Sequence, residues 1–327
     1  MDHWERVQAM MRGEETDRPL VCLWRHWPVA DYQAETLAEE IIRWQETYDC
    51  DLVKHAPAGS YVIEDWGGAT EYIAEQDPGL GIRVITKRGV TAVTAWPALE
   101  QLNVNQGHLG EQLKAVRLVA KALDGTVPVL QTIFSPMNIA PKLAGAQAFD
   151  HMRQRPALFK QGLQIIAETT ARFAQASLAA GADGFFFVAP ADRTKMSEAE
   201  YREFGEPYDR LILDAVRAQS KFIILLTLAE DLMFDLLASY PADGINWPNL
   251  RNNGPSLSEA LERFDGLLMG GIDERHTLLH GPAAAIEAEI TDAIRQTNGR
   301  RLIIGPGSTP LITTPAAHFR AARQVVG

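Results

Sequence analysis

The side chains best suited to chemistry in this chain are Arg25, His26 and Trp27 in one run, then His55, Tyr61, Asn138, Asn246 with Trp247, Asp273 and Ser308. Each stands at or soon after the end of a short apolar run. A guanidinium grips a carboxylate bidentately, which makes Arg25 an anchor for an acidic ligand; pairing with Asp31 or Asp273 is its structural alternative. His26 and His55 could share a proton transfer or a metal ion, or be held by ordinary hydrogen bonds. Asp273, just after Gly-Gly-Ile, is suited to act as a base or to orient a ligand. His26, His55 and Asp273 are therefore the catalytic candidates. Arg25, Trp27, Tyr61, Asn138, Asn246, Trp247 and Ser308 are the substrate-binding ones. Tyr61 as a loop cap and Trp247 as rim packing are the plain readings of those two.

These residues share a position because of the elements that carry them. Apolar runs recur at 19–24, 51–56, 127–134, 183–189, 222–228, 243–247, 266–272 and 301–305. Near-continuous apolar runs of this length suit parallel strands covered on both faces. Helical stretches separate them, at 36–48, 158–181, 197–219, 231–240, 282–297 and 315–326. Strand and helix alternating on this scale imply an α/β fold, and eight units suit a closed (β/α)8 TIM barrel. An open doubly wound sheet is the alternative, but no GxGxxG follows the first strand. One stretch, 66–96, alternates with period two around Asp77-Pro78-Gly79 and Arg88-Gly89, and reads as a β-hairpin inserted after the second strand. The expected organisation is a single domain over 1–327. In such a barrel the site forms where the βα loops converge, at the C-terminal strand ends.

The chain has 327 residues, 46% of them hydrophobic, and a formal net charge of -11. That acidity makes nucleic acid and anionic membrane poor partners. No apolar run reaches the roughly 18 residues that span a bilayer, and the opening segment lacks the apolar core of a signal peptide. Cys22 and Cys50 have no CxxC or CxH neighbour and read as small core residues. A cytoplasmic protein with no metal is expected. Gly305-Pro306-Gly307-Ser308-Thr309 after the last strand could cradle an anion with backbone N–H groups, although Pro306 removes one donor.

Several segments in order, DRPLVCLWRHWP, VPVLQTIFSPMNIAPKLAG, GADGFFF, DLMFDLLASYPADGINW, GGID and RLIIGPGSTPLITTPAAHFRAARQVV, resemble the uroporphyrinogen decarboxylase (URO-D) superfamily and cover nearly the whole chain. The resemblance implies an eight-stranded β/α barrel. It also implies one of two chemistries: cofactor-free decarboxylation of an acidic porphyrinogen, or methyl transfer from a corrinoid to a thiol activated by zinc. This chain departs from both. Arg25 keeps the first arginine of the family's Arg-x-x-x-Arg loop, but the second falls on Val29. The family's aspartate falls on His55, its tyrosine near Lys142, its serine near Pro190, and its late Gly-His-Gly reads Gly305-Pro306-Gly307. The zinc ligands fall on Thr227, Ala229 and Ser308, which cannot replace an imidazole and two thiolates.

The first expectation is thus a diverged enzyme with decarboxylase or lyase chemistry on a carboxylate-bearing small molecule, acting without a cofactor. Arg25 would hold the carboxylate, and His55 or His26 would move protons, oriented by Asp273. A corrinoid- or folate-linked methyltransferase, with a corrinoid protein as partner, is the second. A non-catalytic binding or partner subunit is the third. The resemblance also implies a homodimer.

Overall fold

The structure is a computed structural model covering residues 1–327. Ten strands are numbered in chain order: β1 (Leu20–Val21), β2 (Val53–His55), β3 (Ala69–Glu71), β4 (Val84–Lys87), β5 (Val129–Phe134), β6 (Gly184–Val188), β7 (Phe222–Leu226), β8 (Gly244–Asn246), β9 (Leu267–Ile272) and β10 (Leu302–Pro306). Eight of them form one parallel sheet in the order β1-β10-β9-β8-β7-β6-β5-β2. The two ends of that order, β1 and β2, are bridged where the Asp51 N–H donates to the Val21 carbonyl at 2.8 Å. The sheet curls with helices around it into a TIM-barrel-like fold, as the eight apolar runs imply.

Every residue of these eight strands is buried. Side chains on one face fill the barrel, and those on the other meet the helices. Val53 and Val129, for example, pack outward on Ala34, Leu37 and Ile41 of the helix Ala34–Tyr48. The helix 107–123, which no N-capping side chain announces, completes this layer. The helical stretch 197–219 is in fact two helices, Glu198–Phe204 and Glu206–Arg217, meeting at Gly205. Ser197 and Glu200 form a reciprocal capping box at its start. The stretch 231–240 is helical only over Phe234–Ala238. No helix is long and apolar enough to cross a membrane.

The N-terminal end of the barrel is fastened by Asp51. Its carboxylate accepts from His3 at 3.0 Å, Arg6 at 2.6 Å, Arg18 at 2.5 Å and the Val21 N–H at 2.9 Å. Burial opposes its charge, but the hydrogen bonds from His3 and Arg18 outweigh that and hold the carboxyl below the usual range.

The insertion after β2 contains an antiparallel pair, β3 with β4, as the turn signals imply. Its strands are short, and 93–98 is a 3-10 helix rather than a strand. The Asp77 carboxylate accepts the N–H groups of Leu80 and Gly81 at 2.8 Å each, which folds the hairpin tip. The Ile312 N–H donates to Gly79 at 2.6 Å, so the tip is tied to the loop after β10. Gly81 has φ +67°, and a Cβ there would lie 2.9 Å from Ile312 and 3.0 Å from the Cβ of His26. Glycine is thus required for the hairpin to close onto His26.

Candidate functional site

A cavity of about 310 Å3 opens among the C-terminal ends of β1, β2, β5, β6 and β7, roofed on one side by the inserted hairpin. Its wall takes Trp24 just past β1, Lys54 of β2, Thr132 and Phe134 of β5, Val188 of β6 and Leu226 of β7. The hairpin adds Ile82, Arg83 and Ile85, and the loops add His26, Ser60 and Thr309. Asn138 and Lys142 come from the helix Pro136–Ala144. That helix starts immediately after β5, with the Ser135 hydroxyl capping the Met137 N–H at 3.2 Å. Its first two turns, which carry Asn138 and Lys142, therefore stand beside the strand end. No aspartate or glutamate lines the cavity.

Lys54 is 4% exposed. Strand alternation sends it inward and its neighbours Val53 and His55 outward. Its ammonium group donates to the Thr132 hydroxyl at 3.1 Å and sits 3.8 Å from the centre of the Trp24 ring. Thr132 gives its own hydroxyl hydrogen to the His55 carbonyl at 2.6 Å, so toward Lys54 it acts only as acceptor. No carboxylate offsets the charge, and burial pushes the Lys54 amine down to about 7.

Lys142 is held more firmly. It donates to the Gly59 carbonyl and to Asn138 Oδ1, each at 2.7 Å, and lies 3.9 Å from the Phe134 ring centre. Both oxygen partners are neutral, and burial brings this amine to about 7 as well. His26 stands edge-on to Trp24, with ring centres 5.7 Å apart. Burial and the Lys54 charge drive its pKa to about 3, so its ring is neutral near pH 7.

Three buried polar atoms on the cavity wall lack a hydrogen-bond partner: Trp24 Nε1, His26 Nδ1 and Ser60 Oγ. Leaving such atoms unpaired costs about 1–3 kcal/mol each, which a polar ligand would recover. The rim is apolar: Ile82 and Leu228 are 43% and 52% exposed. The cavity thus pairs a donor-rich, cationic floor with an oily lip.

Of the residues singled out in sequence, His26 and Asn138 line this cavity. The others lie elsewhere, so Arg25, His55, Asn246 and Asp273 do not surround a common mouth. The Arg25 guanidinium caps the carbonyls of Ile312 at 2.8 Å and His26 at 3.2 Å, and pairs with neither Asp31 nor Asp273. His55 points outward to Gln112 on the helix 107–123, at 3.3 Å. Its pKa is driven to about 3 by burial and by Lys54. Trp27 stacks edge-on against Trp44. The Tyr61 hydroxyl donates to the Thr132 carbonyl at 3.0 Å, buried beneath the cavity wall. Asn246 donates to the carbonyls of Met269 at 3.0 Å and Pro306 at 3.1 Å. Trp247 donates to Pro255 at 3.0 Å and packs on Phe234.

Asp273 belongs to a loop knot with His276 at 2.8 Å and Arg251 at 3.3 Å. Ser308 donates to the buried Glu274, which also pairs with Arg251. The Ser308 hydroxyl is therefore spoken for by a carboxylate outside the cavity. Thr227, at another position where the resemblance places a zinc ligand, caps the Ala229 N–H at 3.3 Å. No three His, Cys, Asp or Glu side chains converge where a metal ion could be held, so the residues present do not fit the family's zinc.

Fold and cavity together define a β/α-barrel protein with a pocket at its strand ends lined by basic and no acidic side chains. The chain belongs to the uroporphyrinogen decarboxylase (URO-D) family, whose model matches residues 2–327. Its relatives divide between two named activities. It is 24% identical to the methylcobamide:CoM methyltransferase MtbA of Methanosarcina mazei, over 97% of this chain and 95% of that protein. It is also 24% identical to the uroporphyrinogen decarboxylase of Parasynechococcus marenigrum, over 76% of this chain and 75% of that one. In three dimensions it resembles a methyltransferase from Methanosarcina mazei, with a TM-score of 0.85 and 19% identity over 99% of this chain and 98% of the other.

Proposed function

We propose that this chain is a URO-D superfamily enzyme that binds a small carboxylate-bearing molecule in the cavity and performs decarboxylase- or lyase-type chemistry on it. The observation that carries this reading is charge: the buried Lys54, the half-buried Lys142, a histidine and an arginine line a cavity that contains no acidic side chain. Buried cations are stable only when paired, and an entering carboxylate supplies the missing partner. Lys142 is the anchor, since Gly59 and Asn138 already fix its direction. Asn138 spends its oxygen on Lys142 and keeps its amide N–H groups for the ligand. Trp24 Nε1 and Ser60 Oγ add neutral donors.

Volume narrows the substrate. About 310 Å3 is at the small end of the roughly 300–1,000 Å3 of ligand pockets. That suits a small acid rather than an acidic tetrapyrrole macrocycle. A panel of mono- and dicarboxylates, scored by thermal shift, tests the reading. Dicarboxylates should raise Tm while the matching diamides do not, and Lys142→Met should weaken carboxylate binding by about 10- to 100-fold. Equal responses to acids and amides, or unchanged affinity in the variant, would contradict it.

The relatives favour one second reading. The MtbA relative matches along almost the whole chain, and a methyl transfer to an acidic acceptor would use the same cationic floor, with a corrinoid protein delivering the methyl group. Loss of the methyl-cobalt absorbance on mixing methylcobamide, protein and a thiol acid would support this reading. An unchanged spectrum would remove it.

A further inference from the structure

Lys54 and Lys142 face one cavity but are built differently, and the difference assigns them different work. Lys142 is tied by two oxygen acceptors at 2.7 Å. Lys54 has one hydroxyl at 3.1 Å, the faces of Trp24 at 3.8 Å and Phe186 at 5.3 Å, and no carboxylate or carbonyl partner. A lysine kept only for packing would serve better as methionine, because burying an unpaired ammonium is costly. A lysine kept as a cation would be tied as Lys142 is. An amine desolvated in an apolar pocket is an arrangement that yields a free nucleophilic nitrogen at neutral pH. Thr132 strengthens the case. Its hydrogen is committed to the His55 carbonyl, so it accepts from Lys54 and leaves the nitrogen lone pair unblocked.

We propose that Lys54 is a catalytic nucleophile that forms an imine with a small oxo dicarboxylate, one carboxylate of which is anchored at Lys142. The proposal rests on the anion-binding reading above and names the substrate class and the electron sink. The Lys54 nitrogen lone pair forms a bond to the carbonyl carbon, and the C=O π pair moves to oxygen. That oxygen takes up protons and leaves as water, giving a protonated imine. The free carboxylate lies β to the former carbonyl. Its C–C bond breaks, CO2 departs, and the bonding pair becomes the C=C of an enamine as the C=N π pair returns to nitrogen. Water supplies a proton to the enamine carbon, and hydrolysis of the imine returns Lys54 and releases the oxo monocarboxylate. Overall one proton is consumed and one CO2 is formed, with no oxidant, metal or cofactor required. The apolar rim of Ile82 and Leu228 favours the step that turns a carboxylate into neutral CO2.

The test is reductive trapping of the full-length wild-type protein. Oxaloacetate or pyruvate is added with sodium cyanoborohydride, and the adduct is mapped by intact mass and peptide mass spectrometry. One adduct per chain on Lys54, at least ten times more abundant than on any surface lysine, is the expected result. It should be absent from Lys54→Met and, in Lys142→Met, form only at about tenfold higher oxo acid. No adduct, or adducts spread over surface lysines, overturns the imine. Thermal shift on the same samples separates the two claims. An oxo acid that raises Tm without being trapped leaves the anion site standing and removes only the nucleophile, whereas no shift and no adduct removes both.

Discussion

Replacing Lys54 by methionine should stabilise the protein, and by more at low pH than at high. Burial brings the Lys54 amine to about 7 in the folded chain, against about 10.4 for an unfolded lysine. The folded pKa is the lower one, so the unfolded chain holds more protons between these values and stability rises with pH across that window. Below pH 7 both states are charged and the folded state carries the whole penalty, ~5 kcal/mol at 1.36 kcal/mol per unit. At pH 9 the folded amine is neutral and only ~2 kcal/mol remains. The advantage of Lys54→Met over wild type should therefore shrink by ~3 kcal/mol between pH 6 and pH 9. His26 and His55, the nearby groups that feel the Lys54 charge, have pKa values near 3 and stay neutral throughout. Lys142 titrates in both proteins and cancels. Urea unfolding of both proteins at the two pH values measures the difference. An advantage that changes by less than about 0.5 kcal/mol, the usual scatter of such comparisons, would mean that Lys54 is not a desolvated, unpaired amine.

Two further outcomes follow from the placement of charge. Asp51→Asn removes the charge that gathers His3, Arg6 and Arg18 at the barrel's N-terminal end, and should cost about 3–5 kcal/mol in urea unfolding; a loss below ~1 kcal/mol would refute its role as a fastener. Asp273→Asn touches the loop knot with Arg251 and His276, not the cavity. Carboxylate affinity by calorimetry should stay within about twofold, and a tenfold loss would place Asp273 in the site after all.

The fold was legible in sequence and most of the site was not, for connected reasons. Strands such as Gly184–Val188 and Phe222–Leu226 are apolar throughout because both faces are covered. That density announces a parallel sheet but erases the period-two signal that tells inward from outward. In Asp51-Leu52-Val53-Lys54-His55 either parity was open, and the histidine drew attention that belonged to the lysine one residue earlier. Knowing that the strand faces both core and helices, one signal remained: a lysine inside an apolar strand must face either an acid or a cavity. Lys142 was hidden differently. It stands eight residues past the end of β5, and only the Ser135-Pro136 start signal, with a helix beginning at once, brings its second turn back to the strand end. The hairpin was recognisable from its turns, but its packing over His26 depends on Gly79 and Gly81 meeting Ile312, a contact across more than 230 positions that no local pattern encodes.

The central claim, a carboxylate site built on Lys54 and Lys142, is tested most directly by a crystal structure of the protein soaked in a small dicarboxylate such as succinate. One carboxylate oxygen should lie within about 3 Å of Lys142 Nζ, with the second carboxylate inside the cavity between Lys54 and His26. Density at the knot of Arg251, Asp273 and Glu274, or at the Arg25 guanidinium, with the cavity holding only water, would contradict the account.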